Sequence, residues 1–403
     1  MRYSGGMEKG ARTGAPAAKG RGAVQNPANR FERLHVEIDP EVHAAAAPGA
    51  PGVAGAIDAV DAAAAEDSGR VATEFLRDTS RSLITHNDSP DIPFSVSLNP
   101  YRGCEHGCIY CYARPTHEYL GFSAGLDFES RIMVKEDAPR LLRRELASPR
   151  WQPQTLVMSG VTDPYQPVER RLGIARGCLE VLAAARQPVA VITKSELVTR
   201  DLDLLAELAG HQAARVFLSI TTLDGELARR MEPRASHPRE RLKAVARLAA
   251  AGVPVGVMVA PVVPAITDHE IPAILEAAAA AGAQAAGYVM MRLPGPVAGL
   301  FEAWLEQHFP DRREKVLHRI RELRGGRLND PRFGSRMRGE GIFAQQIAAL
   351  FASARRRHGL DRPLPELSAA AFRRPDPPGA GPTDQAGGAG PERETAAQLS
   401  LFG

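Results

Sequence analysis

The stretch that decides the fold is Asn99-Pro100-Tyr101-Arg102-Gly103-Cys104-Glu105-His106-Gly107-Cys108-Ile109-Tyr110-Cys111-Tyr112. It sets three of the chain's four cysteines in a C-x3-C-x2-C spacing, directly after a run at 93–98 that reads as a strand. Thiols that close in sequence can converge on one centre from a single loop, and Gly103 and Gly107 let the backbone turn around it. Thiolates are soft ligands that select zinc or an iron–sulfur cluster. Zinc needs a fourth ligand, for which His106 or His117 is at hand. An iron–sulfur cube usually takes four cysteines, so three would leave one iron open for substrate chemistry. The bland alternatives are a zinc knuckle and three thiols that are merely buried.

Outward from this loop the pattern alternates. Short β-branched runs at 93–98, 155–159, 188–193, 215–221, 254–260 and 287–292 read as strands. Helical patterns at 138–146, 172–185, 202–208, 238–251, 271–281 and 297–308 lie between and after them. Strand-then-helix repeats imply parallel pairing through crossover helices. Six units are too few for a closed eight-fold barrel. From the pattern alone, an open barrel and a doubly wound sheet both remain.

The cysteine spacing after the first strand of a βα repeat, with Tyr110 just before the third cysteine, resembles the radical S-adenosylmethionine superfamily. The resemblance spans about 93–305. It implies an α/β fold, the open (partial) six-unit βα barrel of that superfamily. It also implies that Cys104, Cys108 and Cys111 hold a [4Fe–4S] cluster whose fourth iron is chelated by S-adenosylmethionine. One electron from the cluster splits the C5′–S bond, and the resulting 5′-deoxyadenosyl radical abstracts hydrogen from a substrate. Within the superfamily, "GCEHGCIYCYA" and the later "VITKS" resemble the spore photoproduct lyase group of DNA-repair-like enzymes. The longer run "NPYRGCEHGCIYCYARPTH" resembles a bacterial branch beside that lyase, and carries no substrate with it.

Further site residues follow in part from position. Active sites of βα folds gather at the C-terminal ends of strands. The second strand ends in Ser159, Gly160, Thr162 and Asp163, where the superfamily meets the amino group of S-adenosylmethionine. Gly160 would allow close backbone approach, and Thr162 or Asp163 would accept from the ammonium. An ordinary Asp-Pro turn is the alternative. Lys194, ending the third strand, resembles the lyase lysine that meets the cofactor carboxylate. Asp224 is placed to cap the next helix. Glu232 and Arg234 would face the site or form a salt-bridged turn, and Arg292, ending the sixth strand, could hold a substrate anion. The lyase returns hydrogen through a cysteine at the second strand's end. Here that place reads Gly160-Val161-Thr162-Asp163, and the remaining Cys178 reads as a small core hydrophobe. Tyr110 and Tyr112 match the two tyrosines flanking the lyase's last cluster cysteine, so a tyrosine hydrogen relay is the expectation. Repair of the spore photoproduct itself is not expected.

The chain of 403 residues is 44% hydrophobic and 24% charged, as in a globular protein with a substantial core. No apolar stretch of about 18 residues suggests a membrane span. With no secretory signal and too few cysteines for a disulfide scaffold, a cytoplasmic location is expected. Four regions are expected: a disordered linker at 1–70 with a docking segment at 29–38, the barrel at 71–309, a basic helical region at 310–374, and a disordered tail at 375–403. Residues 311–374 carry 16 Lys/Arg against 7 Asp/Glu, a net of +9 in a chain whose total is +3. That asymmetry points to a nucleic-acid partner, a solvated helical face being the alternative. Gln398-Leu399-Ser400-Leu401-Phe402 resembles the short motif that docks bacterial DNA-repair proteins on the sliding clamp. The expected function is a radical enzyme, lyase-like, acting on nucleic acid with an electron donor. A protein or small-molecule substrate, and a zinc-holding DNA adaptor without enzymatic activity, are the alternatives.

Overall fold

The computed structural model describes residues 20–31 and 71–376. Ten strands run in chain order: β1 (Glu74–Arg77), β2 (Ile84–His86), β3 (Val96–Leu98), β4 (Tyr101–Arg102), β5 (Arg131–Val134), β6 (Leu156–Met158), β7 (Val189–Thr193), β8 (Ala214–Ser219), β9 (Val255–Val262) and β10 (Ala285–Met290). The main sheet has the order β10-β9-β8-β7-β6-β3-β2. Its six strands from β3 to β10 are mutually parallel, and β2 adds an antiparallel edge. The sheet does not close on itself, so the architecture is the expected open, partial βα barrel. All six strands expected from sequence are present, each within a few residues of its expected span.

The helices that return the chain between and after these strands are α1 (Ala138–Ala147), α2 (Ile174–Ala185), α3 (Leu202–Gly210), α4 (Pro238–Ala250), α5 (Ile271–Ala280) and α6 (Val297–His308). Parallel strands covered on both faces must be apolar on both, which is why β6 reads Leu-Val-Met and is buried throughout. Leu98, Met158, Val191, Leu218 and Val257 join Leu142, Leu182, Leu205 and Val245 in one core. Asp224 caps the helix Gly225–Met231 through the amides of Glu226 and Leu227, as its position predicted.

A second, three-stranded sheet, β1-β5-β4, flanks the barrel. Residues 20–28, expected to lack order, differ from that expectation: Arg21, Gly22 and Ala23 are buried against the body. Of the docking segment expected at 29–38, residues 29–31 are seen to dock and 32–38 lie outside the described residues. Asn29 donates to the carbonyls of Glu118 and Phe122, Arg30 pairs with Glu118, and Phe31 packs on Tyr119.

The basic region is not a separate body. It forms α7 (Arg313–Leu323) and α8 (Gly341–Arg357). Phe351 of α8 packs on Tyr288 of β10, and Leu323, Ala344 and Ile347 enter the main core. The chain then runs back over the barrel, where the Arg373 amide donates to Ala185 and the Arg374 guanidinium to the Trp151 carbonyl. The tail from 377 onward, including 398–402, lies outside the described residues. Among the described residues no helix is long and apolar enough to cross a membrane.

Candidate active site

The cysteine loop leaves β4 and lies across the C-terminal ends of the barrel strands. The Cys104 amide donates to the Phe128 carbonyl at 2.9 Å, and the Ile109 amide to that of Met231 at 3.0 Å. Gly103 and Gly107 both take left-handed φ, 79° and 66°. A side chain at Gly107 would meet the Glu129 carboxylate at 2.6 Å, so the loop turns where only glycine fits. Cys104 and Cys108 are buried, and Cys111 is half-buried and packs against the apolar clusters of both.

Burial pushes the Cys104 thiol well up, with Asp163 and the other two loop thiols adding to the effect. The Cys108 thiol is pushed up by burial and by Glu232. Thiols buried beside carboxylates ionise only against a strong local positive charge, which a metal centre supplies. Among the described residues no three His, Cys, Asp or Glu side chains stand close enough together to hold a single ion. The two histidines considered as a fourth ligand for zinc each engage one ring nitrogen, and His117 Nδ1 is buried without a partner. His106 Nδ1 faces Asp163 at 3.3 Å, and His117 Nε2 donates to the Arg131 carbonyl at 3.0 Å. Three cysteine thiols on one loop are the donor set of a cysteine-bound cluster that keeps one position open.

The strand ends expected at the site surround this loop. Asp163 ties three elements together: its carboxylate accepts from the Thr193 hydroxyl at 2.7 Å, the Lys194 amide at 2.8 Å and the Tyr165 amide at 2.9 Å. Burial opposes its charge, yet His106, Thr193 and the Lys194 amide hold its carboxyl at about 2. Thr162 donates to the Gly103 carbonyl at 2.6 Å and accepts from Gln166. Thr162 and Asp163 thus engage their oxygens within the protein, fixing the end of β6 to the cysteine loop and to β7. Ser159 donates to the Thr162 carbonyl at 3.1 Å. With φ of 152° and 127°, Ser159 and Gly160 form a kink that a serine occupies only under constraint.

Tyr110 and Tyr112 diverge. The Tyr110 hydroxyl is buried, donates to Glu232 and lies 3.2 Å from the Thr221 hydroxyl. Glu232 in turn pairs with Arg241, both almost wholly buried, so of the two roles open to Glu232 it takes that of an ion pair inside the site wall. Burial works against the Glu232 charge, but Arg241 and Lys194 hold it at about 2. The Lys194 ammonium stands 5.8 Å from the Tyr110 ring centroid and 3.4 Å from the Ala260 carbonyl. Tyr112 is 48% exposed. Its hydroxyl donates to the Gly160 carbonyl at 2.6 Å, and the Arg292 guanidinium lies 4.5 Å from its ring centroid. Cys178 is fully buried in α2, a core residue as expected.

Several supporting residues carry no sequence signal. The buried Arg114 guanidinium donates to the carbonyls of Cys108, Gly125 and Ala124 and pairs with Glu129. Glu105 accepts from the Val168 amide and pairs with Arg234, which gives Arg234 a structural partner. Gln166 accepts from the Glu105 amide at 2.9 Å.

Residues 98–278 match the model of the Radical SAM superfamily. An uncharacterised protein of Mycobacterium tuberculosis is 38% identical over 284 residues, 70% of this chain and 80% of the relative. One of Methanocaldococcus jannaschii is 29% identical over 173 residues, 43% and 62% of the two chains. Among solved structures, spore photoproduct lyase complexed with dinucleoside spore photoproduct is similar in fold, with a TM-score of 0.50 and 17% identity over 70% of this chain and 79% of that one.

Proposed function

This chain belongs to the radical SAM superfamily and works with that family's [4Fe–4S] cluster and S-adenosylmethionine, and we propose that its substrate is nucleic acid. Cys104, Cys108 and Cys111 would hold the cluster, and family membership sets aside the zinc-holding adaptor. When bound, the two cofactors supply a carbon radical able to take a hydrogen atom from a substrate. Lys194 would meet the cofactor carboxylate, and the backbone at Ser159 and Gly160 would lie against its amino end. Thr162 and Asp163 position that strand end. Tyr112 faces the substrate side, while Tyr110 is locked by Glu232 and Thr221 as part of the wall. A lyase-like reaction fits the resemblance to spore photoproduct lyase, a protein solved with a dinucleoside photoproduct.

The observation that carries the nucleic-acid reading is the positive charge that intramolecular pairing leaves over. Arg313, Arg319, Arg332 and Arg336 are paired with acids within the fold. Arg312, Lys315, Arg327, Arg356, Arg357 and Arg362 remain exposed with no ion pair among the described residues. Such a surface attracts phosphate by releasing counterions. The test is anaerobic turnover with dithionite, reading 5′-deoxyadenosine with and without DNA or RNA. Stimulation by either polymer, together with affinity that falls steeply with salt, supports the reading. Cofactor cleavage indifferent to both polymers overturns it in favour of a protein or small-molecule substrate. Recruitment through Gln398, Leu399, Ser400, Leu401 and Phe402 to a sliding clamp, and a separate electron donor, belong to the same proposal.

A further inference from the structure

Arg292 stands just past the C-terminal end of β10, the edge strand of the open barrel. It is half-buried, yet among the described residues its guanidinium has neither an ion pair nor a hydrogen bond. The acid within its reach, Asp91, is already taken by Arg336. What does hold Arg292 is the Tyr112 ring, 4.5 Å away. Tyr112 is itself fixed by its bond to the Gly160 carbonyl at the end of β6. The side chain next to the third cluster cysteine therefore spans the barrel mouth from a middle strand to the edge strand and carries a free cation on its face.

A guanidinium that gives up part of its hydration without gaining a protein partner is suited to receive an anion. The position argues against the cofactor's carboxylate as that anion. Lys194, at the end of β7, stands 5.8 Å from the Tyr110 ring centroid and is the cation already assigned to that carboxylate, whereas Arg292 stands over Tyr112. Arg292 instead lies where the sheet ends, the side by which a polymer can approach without threading the barrel. Its planar fork matches two oxygens of one phosphate.

We propose that Arg292, backed by Tyr112, binds a backbone phosphate of the substrate nucleic acid and sets its register against the cysteine loop. This rests on the nucleic-acid reading above. It is a contact separate from the diffuse charge of 311–374, because it is a single oriented guanidinium at the mouth itself.

The experiment uses the full-length, anaerobically reconstituted protein and a fluorescein-labelled single-stranded DNA oligonucleotide, read by anisotropy across a salt series. S-adenosylmethionine affinity is measured in parallel by equilibrium dialysis. Arg292→Ala is expected to weaken DNA binding roughly tenfold and to make the slope of log affinity against log salt shallower by about 0.7, the loss of one phosphate contact. Arg292→Lys should keep the wild-type slope, and cofactor affinity should hold in both. If wild type binds DNA and Arg292→Ala binds as tightly with the same slope, the inference fails while the nucleic-acid reading stands. If Arg292→Ala loses cofactor affinity and not DNA, the anion is the cofactor carboxylate and the inference fails. If wild type binds no oligonucleotide, both the reading and the inference fall. Should circular dichroism show Arg292→Ala misfolded, Arg292→Gln, which keeps much of the stem over Tyr112, is held to the same outcomes.

Discussion

Arg114 and Glu129 meet in an ion pair with both side chains completely buried, directly beneath the cysteine loop. The guanidinium gathers the carbonyls of Cys108 and Gly125, while the carboxylate accepts the amides of Gly22 and Ala23 at 2.9 and 2.8 Å. One pair thus joins the loop, the helix end behind it and the N-terminal segment. Removing the carboxylate leaves a buried cation unpaired, which costs on the order of 3–5 kcal/mol. Glu129→Ala is expected to lose about that much stability in urea unfolding and to retain less iron on reconstitution. Wild-type stability in this variant would show that the pair contributes little.

Gly22 lies so close to the loop that a side chain there would stand 1.9 Å from the Gly107 carbonyl oxygen, a backbone atom with no freedom to move aside. Gly22→Ala should therefore lift the N-terminal segment off the loop, exposing the face that Ala23 shares with Cys108 and Tyr110. The expected result is several-fold faster loss of iron–sulfur absorbance in air. Bleaching at the wild-type rate would mean that the segment does not shield the loop.

Acid should weaken the fold in two stages. Burial holds His117 at about 4, below its ordinary 6.5, so the unfolded chain takes up that proton first as pH falls. Its contribution is complete above pH 6.5 and drains away towards pH 4, by about 3 kcal/mol. Asp163 and Glu232, held at about 2, stabilise the fold above the ordinary carboxylate range and lose that contribution only on further acidification. Urea unfolding at pH 7 and at pH 4.5 should show the first stage. His117→Leu, keeping the apolar contact with Phe122 and Phe128, should flatten it. An unchanged pH slope in that variant would move the effect to another group.

The barrel was legible because parallel strands buried on both faces leave short β-branched runs, as in Val189–Thr193, with helical patterns between them. The flanking sheet was not. Glu74–Arg77 is half exposed, with only two apolar residues, and Tyr101–Arg102 is two residues long, too little for a period to show. The order of residues 20–28 was hidden for another reason: Gly22 and Ala23 bind through backbone amides, which leave no mark on side-chain pattern. Arg114 with Glu129, and Arg336 with Asp91, are partners on irregular or distant segments, so charge counting read the second pair as part of an unpaired basic surface.

The terminal motif makes its own prediction. Leu401 and Phe402 are the two apolar anchors of a five-residue match, and two anchors support affinity on the order of micromolar once ordering is subtracted. Titration against a bacterial sliding clamp should show binding that vanishes when both are changed to Ala. No binding by the wild-type chain at roughly a hundredfold higher clamp concentration would make the match coincidental.

The central claim is that Cys104, Cys108 and Cys111, and no other cysteine, hold the cluster that drives the chemistry. The direct measurement is iron, sulfide and visible absorption after anaerobic reconstitution, with 5′-deoxyadenosine formation from S-adenosylmethionine and dithionite, in the four single Cys→Ala variants. Loss of both cluster and cleavage in each loop variant, with both retained in Cys178→Ala, is the predicted result. A cluster that survives in Cys111→Ala or disappears in Cys178→Ala would contradict it.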